Sequence, residues 1–210
     1  MLHNRVGAFS SARAARVWHS AARAQDPRAA WLRPGQQKSL QRRRHVTTVR
    51  AVQMPRDPEP PGRVHVRRAD AVDLDALLAL ETRVFRSDLI SRAQYRRHID
   101  SDSALVLVAT QTGTLLGSVV VFFRRGSRNA RLYSLASAPE ARGRGVGAAL
   151  LRAAEQAARQ RRCRGMRLEV RSSNRAAQRL YETRGYARGG VQRGYYEDGA
   201  DALRYAKALD

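Results

Sequence analysis

Between Leu132 and Leu151 the chain reads LYSLASAPEARGRGVGAALL, and within it Arg142, Gly145 and Gly147 stand in the spacing R-x-x-G-x-G. Without a Cβ, Gly145 and Gly147 let the backbone come close to a bulky anion and offer it N–H groups. The apolar positions that follow predict a helix, whose first turn adds unpaired donors and the positive end of the macrodipole. The chemistry on offer is the holding of a diphosphate by backbone. The spacing is neither the dinucleotide G-x-G-x-x-G nor a nucleotide loop ending in Gly-Lys-Ser/Thr, and a turn this rich in glycine also serves as a plain flexible link.

A second set of reactive side chains lies further on. Met166, Leu168 and Val170 alternate with Arg167, Glu169 and Arg171, so a strand here turns Glu169 to the face away from the core. Asn174 and Tyr181 are seven residues apart, two helical turns, and share a face with the small Ala177 between them. Each has a plainer use: Glu169 as a solvated ion pair with its flanking arginines, Asn174 as a helix start, Tyr181 as a core aromatic. Tyr195 and Tyr196 by themselves read as hairpin packing. His65 and His98 are isolated, no His–Asp pair suggests a serine triad, and nothing has metal-ligand spacing, so no metal is expected. Cys163 is the only cysteine, which excludes an intrachain disulfide.

The elements that must position these groups begin at Arg63. Val64 and Val66 alternate as a first strand does. Asp70 caps a helix carrying Leu74, Leu77, Leu78 and Phe85 on one stripe, and Ser91 caps a second through Tyr95 and Ile99. Strands Ala104–Thr110 and Leu115–Phe123 are joined by Gln111-Thr112-Gly113-Thr114, with Gly117 marking a bulge. The strand through Leu135, Ala136 and Ser137, the glycine loop and a helix Val146–Arg161 follow. Met166–Val170 is another strand, Asn174–Arg184 a helix stopped by Gly185, and Tyr186–Val191 with Ala202–Leu209 a last hairpin. The order β-α-α-β-β-β-α-β-α-β-β predicts an α/β (α+β) fold, a mixed sheet of about seven strands with helices on both faces.

Residues 1–62 have another character. The first 53 hold eleven Lys or Arg against one acid, Asp26, and Pro55, Pro58, Pro60 and Pro61 mark the exit. This segment is expected to be a disordered Arg-rich extension, a transit peptide, or sequence upstream of a working start at Met54. Residues 63–210 are expected to form the one folded domain. The whole chain carries +22 at pH 7, and all but Lys38 and Lys207 of its 40 basic residues are arginine. Such a charge suits nucleic acid or acidic partners, or reflects coding bias that fills exposed positions with Arg. Aromatics are not interleaved with the basic residues, so nucleic acid is not the expected partner. No stretch approaches the ~20 apolar residues of a membrane span.

The segment Leu132–Leu209 resembles the GNAT superfamily of N-acetyltransferases. The R-x-x-G-x-G loop is one match. The run Leu168-Glu169-Val170-Arg171-Ser172-Ser173-Asn174 with Ala177, Leu180-Tyr181-Glu182 and Gly185-Tyr186 is similar to the ribosomal-protein-alanine acetyltransferase (RimI) type. Tyr195-Tyr196-Glu197-Asp198-Gly199-Ala200-Asp201-Ala202 is similar to protein N-terminal acetyltransferases. The resemblance is looser over residues 63–131 and absent before them.

It implies acetyl-CoA as co-substrate, its pyrophosphate cradled by Arg142, Gly143, Arg144, Gly145, Val146 and Gly147. The pantetheine arm would lie along Leu135, Ala136 and Ser137, with Asn174 also at the cofactor. Glu169 would take the proton from the amine, directly or through water, and Tyr181 would protonate the departing thiolate. Phe85, Tyr195 and Tyr196 would line the acceptor groove. The loop Phe85–Ser91, FRSDLIS, lacks the Phe-Pro pair often found there, which leaves the acceptor open. The expected reaction is acetyl transfer to an amine, foremost the N-terminal α-amine of a protein or peptide. The alternatives are a small-molecule amine acetyltransferase and a basic nucleic-acid or ribosome-associated module on the same scaffold. The expected protein is cytoplasmic, or mitochondrial if the leader is a transit peptide, and a monomer or dimer.

Overall fold

The structure is a computed structural model; it describes the backbone of residues 3–5 and the full residues 62–209. The strands are β1 (His3–Arg5), β2 (His65–Arg68), β3 (Ala104–Gln111), β4 (Thr114–Phe123), β5 (Asn129–Ser137), β6 (Gly165–Arg171), β7 (Ala187–Gln192) and β8 (Ala202–Ala208). The helices are α1 (Leu74–Val84), α2 (Arg92–Ile99), α3 (Val146–Gln160) and α4 (Arg175–Glu182). Seven strands run in the order β2-β3-β4-β5-β6-β8-β7, and β1 pairs with β5 off that path. Every pairing is antiparallel except β5 with β6.

Period-two alternation sends side chains to two cores. On β3, Leu105, Leu107 and Ala109 enter the larger core while Val106 and Val108 enter the smaller one. On β4, Val119 and Val121 go to the first and Val120 to the second. Leu150, Leu151 and Ala154 of α3 and Tyr181 of α4 close the larger core; Leu74 and Leu77 of α1 and Tyr95 of α2 close the smaller.

Local signals account for most element ends. Asp70 and Asp73 form a reciprocal capping box over the short turn Ala71–Asp73 that leads into α1. Ser91 and Gln94 do the same for α2. Thr112 and Gly113 both adopt positive φ, 49° and 78°, the backbone that a tight two-residue hairpin needs. Gly185 ends α4 in the left-handed region at φ 81°. The register slips beside Gly117, where Ala109 faces Gly117 and Thr110 faces Leu115. Phe85 is not on the α1 stripe but beyond its end, as the C-cap residue.

The expectation that residues 1–62 lie outside the sheet meets one exception, since residues 3–5 join it as β1. A three-residue strand gives no periodic signal, so nothing in the sequence announces it. The rest of that expectation, up to residue 61, falls outside the described residues.

Candidate active site

The glycine loop begins as a single turn, Pro139–Ala141, after which the Arg142 and Arg144 amides donate to the Pro139 and Ala141 carbonyls at 3.2 Å each. Gly143 and Gly145 both sit at φ 75°, a backbone that side chains with a Cβ adopt only at a cost. Gly145 is the N-cap of α3, and no side chain caps that end. Its carbonyl accepts from Ala149 at 2.9 Å, so the amides from Val146 to Ala148 point out of the first turn with no intrahelical acceptor. A Cβ built on Gly143 or Gly145 meets nothing within 4 Å, so the loop is open on its outer side. An uncapped, open helix start of this kind fits a diphosphate. Two contacts hold the loop in place: Arg144 donates to Gln111, and Glu140 pairs with Arg83 at 2.6 Å. The Arg83 hydrogen bond holds the Glu140 carboxyl below its ordinary value.

Beneath the loop the sheet comes apart. β5 and β6 pair only over Asn129–Arg131 and Gly165–Arg167, although both strands run further. The register of β5 against β4 passes from Leu132–Val121 to Ser134–Val120, leaving Tyr133 as the extra residue of a bulge. The bulge bends β5 at the point where it leaves β6. The side chains of Leu135, Ala136 and Ser137 are buried, so what this stretch offers the gap is backbone. β1 takes that edge here, with His3 opposite Ala136, Asn4 opposite Leu135 and Arg5 opposite Ser134. Ser137 Oγ is buried with no hydrogen-bond partner, a polar group left at the loop end of the strand.

Glu169 lies on β6 past the last β5 pairing, its carboxylate 16% exposed. As its alternation predicts, it turns away from the core that takes Met166, Leu168 and Val170. The cation beside it is neither Arg167 nor Arg171 but Arg131, whose Nε and guanidinium donate to Glu169 Oε2 at 3.3 and 3.2 Å. Those bonds are long and Arg131 is 42% exposed, so the pair contributes a few tenths of a kcal/mol to about 1 at most. Its use is positioning, because the same guanidinium donates to the Tyr195 hydroxyl at 2.9 Å. Arg171 instead pairs with Asp198 at 2.7 Å and stacks 4.1 Å over the Tyr196 ring. The Tyr195 and Tyr196 rings meet edge to face at 5.3 Å. Burial, and then for Tyr195 the Glu169 charge, push both phenols well above the usual tyrosine range. Both therefore keep their proton at neutral pH.

The remaining candidates are placed as follows. Tyr181 is fully buried in the larger core, its ring 5.6 Å from that of Tyr186 and 6.1 Å from that of Tyr205. It shares that core with Met166, Leu168 and Val170, the β6 side chains that face opposite to Glu169. Asn174 is the N-cap of α4, its side-chain oxygen accepting from the Ala177 amide at 3.1 Å. Phe85 is buried in the larger core, so its ring packs rather than lines a surface. The loop after it is tied down by Glu81, a buried carboxylate accepting from the Ile90 amide at 2.7 Å and the Tyr95 hydroxyl at 2.9 Å. Asp88 in that loop sits at φ 55°, with one carboxylate oxygen buried and unpartnered.

Arg131 and Glu81 escaped the sequence reading. The signal for Arg131 is its diagonal relation to Glu169 across two parallel strands, which appears only once the register is known.

Residues 72–186 match the model of the Acetyltransferase (GNAT) family. A protein of Bacillus subtilis (strain 168), provisionally named a ribosomal protein bS18-alanine N-acetyltransferase, is 32% identical over 139 residues, 66% of this chain and 91% of that protein. Among solved structures, the ribosomal-protein-S18-alanine N-acetyltransferase of Escherichia coli superposes with a TM-score of 0.63 at 26% identity, covering 70% of this chain and 95% of that one. The ribosomal-protein-alanine N-acetyltransferase of Brucella melitensis gives 0.61 at 25%, over 69% and 99%.

Proposed function

From the premise that this chain belongs to the GNAT acetyltransferase family and is an N-acetyltransferase, we propose that it acetylates the N-terminal α-amine of a protein, with acetyl-CoA as donor. The observation that carries this reading is the end of β5–β6 pairing at Arg131, on the strand that leads to an uncapped helix start, with Glu169 of β6 joined to Tyr195 through Arg131 of β5.

The residues present fit the co-substrate. The backbone of Gly143–Gly147 would hold its diphosphate, and the β6-facing edge of Leu135–Ser137, which β1 covers in this structure, would receive its amide-bearing arm once β1 leaves it. When bound it supplies an acyl group already activated as a thioester. Everything else falls to this chain. The gap fixes the direction from which an amine arrives, which is the entropic part of catalysis. An α-ammonium must lose a proton before it attacks, and Glu169, half-enclosed and on the gap's polar side, takes it through a water. Arg131 holds that carboxylate and the Tyr195 hydroxyl in one fixed relation. Tyr181, on the other face, keeps its phenol proton for the sulfur that leaves. Tyr195 and Tyr196 wall the approach, a shape suited to an extended peptide end.

Support for a protein acceptor comes from the Bacillus and Escherichia relatives, whose names give a ribosomal-protein alanine as what they acetylate. The test is acetyl-CoA turnover against three panels: N-terminal peptides, lysine peptides with blocked α-amines, and small amines. The expected result is turnover of the first panel, with alanine-starting peptides among the best. Turnover confined to small amines would replace this reading.

A further inference from the structure

The arginines are not spread evenly over the fold, and one group of them lies far from the gap. The turn between β4 and β5 carries Arg124, Arg125 and Arg128, and the end of α3 with the following turn carries Arg159, Arg161, Arg162 and Arg164. These two runs are distant in sequence and are joined in the fold. The Arg164 and Gly165 amides donate to the Arg128 carbonyl at 2.7 and 3.3 Å, and the Arg161 guanidinium sits 4.2 Å over the Phe123 ring. All seven arginines are exposed. Arg125, Arg128, Arg162 and Arg164 make no ion pair among the described residues.

Acids are scarce around them. The sequence holds no Asp or Glu between Asp102 and Glu140, nor between Glu155 and Glu169. Glu155 is engaged by Lys207 at 2.9 Å, and Arg161 reaches the Asp102 carbonyl at 2.6 Å, which brings Asp102 to the edge of the patch. α3 runs 15 residues from the glycine loop to this end, about 22 Å at the rise of an α-helix. The patch is therefore a separate surface from the diphosphate cradle.

We propose that this end of the sheet docks the phosphate backbone of a nucleic-acid duplex. Exposed guanidiniums carried on backbone that hydrogen bonds pin together suit phosphates, which they bind in bidentate fashion. Among the described residues the large exposed hydrophobic side chains, Val72, Leu89 and Val191, all lie elsewhere, so these residues give the patch no apolar wedge for a membrane and no anchor for a protein partner. A uniform coding bias would fill exposed sites throughout and would not leave two acid-free runs packed together.

The experiment measures binding of the full chain to a labelled duplex of about 20 bp, DNA and RNA in turn, by anisotropy between about 50 and 200 mM salt. Arg125, Arg128, Arg162 and Arg164 are changed together to Ala. A charge-matched control changes the exposed Arg96, Arg97, Arg179 and Arg188 to Ala. For DNA the first set should flatten the log–log salt slope by roughly 0.9 for each arginine on a phosphate, and weaken binding at least about tenfold. The control should change the slope by less than about one unit. Acetyl transfer to a peptide and the melting temperature should be the same in all three proteins. Equal loss in both variants would mean that net charge alone binds, and no loss in the first would place binding on the leader. Either result overturns the proposal, as does capture by anionic vesicles with no duplex binding.

Discussion

Gly117 packs the sheet closely against the start of α3, at the end of the glycine loop. A Cβ added there would lie 2.7 Å from the Ala136 carbonyl oxygen, 2.8 Å from Val146 Cγ1 and 3.0 Å from Leu150 Cδ1. Real Cβ atoms do not come this close, and none of the three neighbours is a free chain end. Ala136 O belongs to the strand at the gap, Val146 opens α3, and Leu150 is fully buried. Gly117→Ala must therefore push the start of α3 outward or shift β5. Overpacking of this kind costs about 1–3 kcal/mol. A domain of this size loses roughly 2–4 °C per kcal/mol, so Tm should fall by about 2–12 °C. The functional loss should be larger than the thermal one, because what moves is the helix start proposed to hold the diphosphate. KM for acetyl-CoA is expected to rise at least about tenfold, while kcat at saturation falls less. Calorimetry with acetyl-CoA and a thermal melt measure the two effects. Adding Val146→Ala removes one of the three collisions and should recover part of both. A Gly117→Ala protein with unchanged Tm and unchanged acetyl-CoA affinity would refute the idea that this contact seats the loop.

The acid–base pair is tested by Glu169→Gln and Tyr181→Phe, each expected to lower kcat by ~10²–10⁴-fold with little change in acetyl-CoA binding; near wild-type rates at pH 7 in both would leave positioning as the whole of catalysis. A chain starting at Met54 lacks β1 and so leaves the Leu135–Ser137 edge open. It should fold with a similar Tm and bind acetyl-CoA at least as tightly, whereas aggregation or lost turnover would make residues 1–53 part of the domain. Burial, with a hydrogen bond to Glu182 at 2.7 Å, pushes the Tyr205 phenol up to about 12. An acid whose folded pKa is raised favours the fold in its protonated state, so this contribution is complete below an unfolded pKa of ~10 and disappears as pH climbs toward 12. Urea melts from pH 9 upward should show stability falling through that window, and Tyr205→Phe should make the fall shallower; an unchanged slope would contradict the assignment.

The element order was legible because it rests on local signals. Capping residues, the Gln111–Thr114 turn, period-two strands and the Gly185 stop each act within a few residues, and the elements formed where those signals lie. Even the irregularity beside Gly117 was marked, by a missing side chain. The second bulge, at Tyr133, was not, because no Gly or Pro announces it. The site was legible in part for the same reason. The glycine loop is continuous in sequence, and the face of Glu169 follows from alternation. The partner of Glu169 was misread because neighbours along a strand point the same way yet need not meet. Arg131 reaches it from another strand, through a pairing only three residues long. Phe85 looked like groove lining because its place in the chain, between two helices, is a loop. Its burial is decided by tertiary packing, which no local pattern records.

That short parallel joint has a mechanical side. The strands β2 to β5 form one antiparallel leaf and β6, β8 and β7 another, and the backbone stitches the leaves together at only three residue pairs. Along the rest of the seam, where β1 lies against β5, side chains on one face add cohesion, as Leu150, Leu151 and Ala154 of α3 share a core with Leu168, Val170 and Tyr181. The volume of those apolar groups therefore acts on how far the leaves open, like a wedge behind a book's spine. Small changes in that wedge, on the far side of the sheet from Glu169, would retune the gap without touching any polar residue in it.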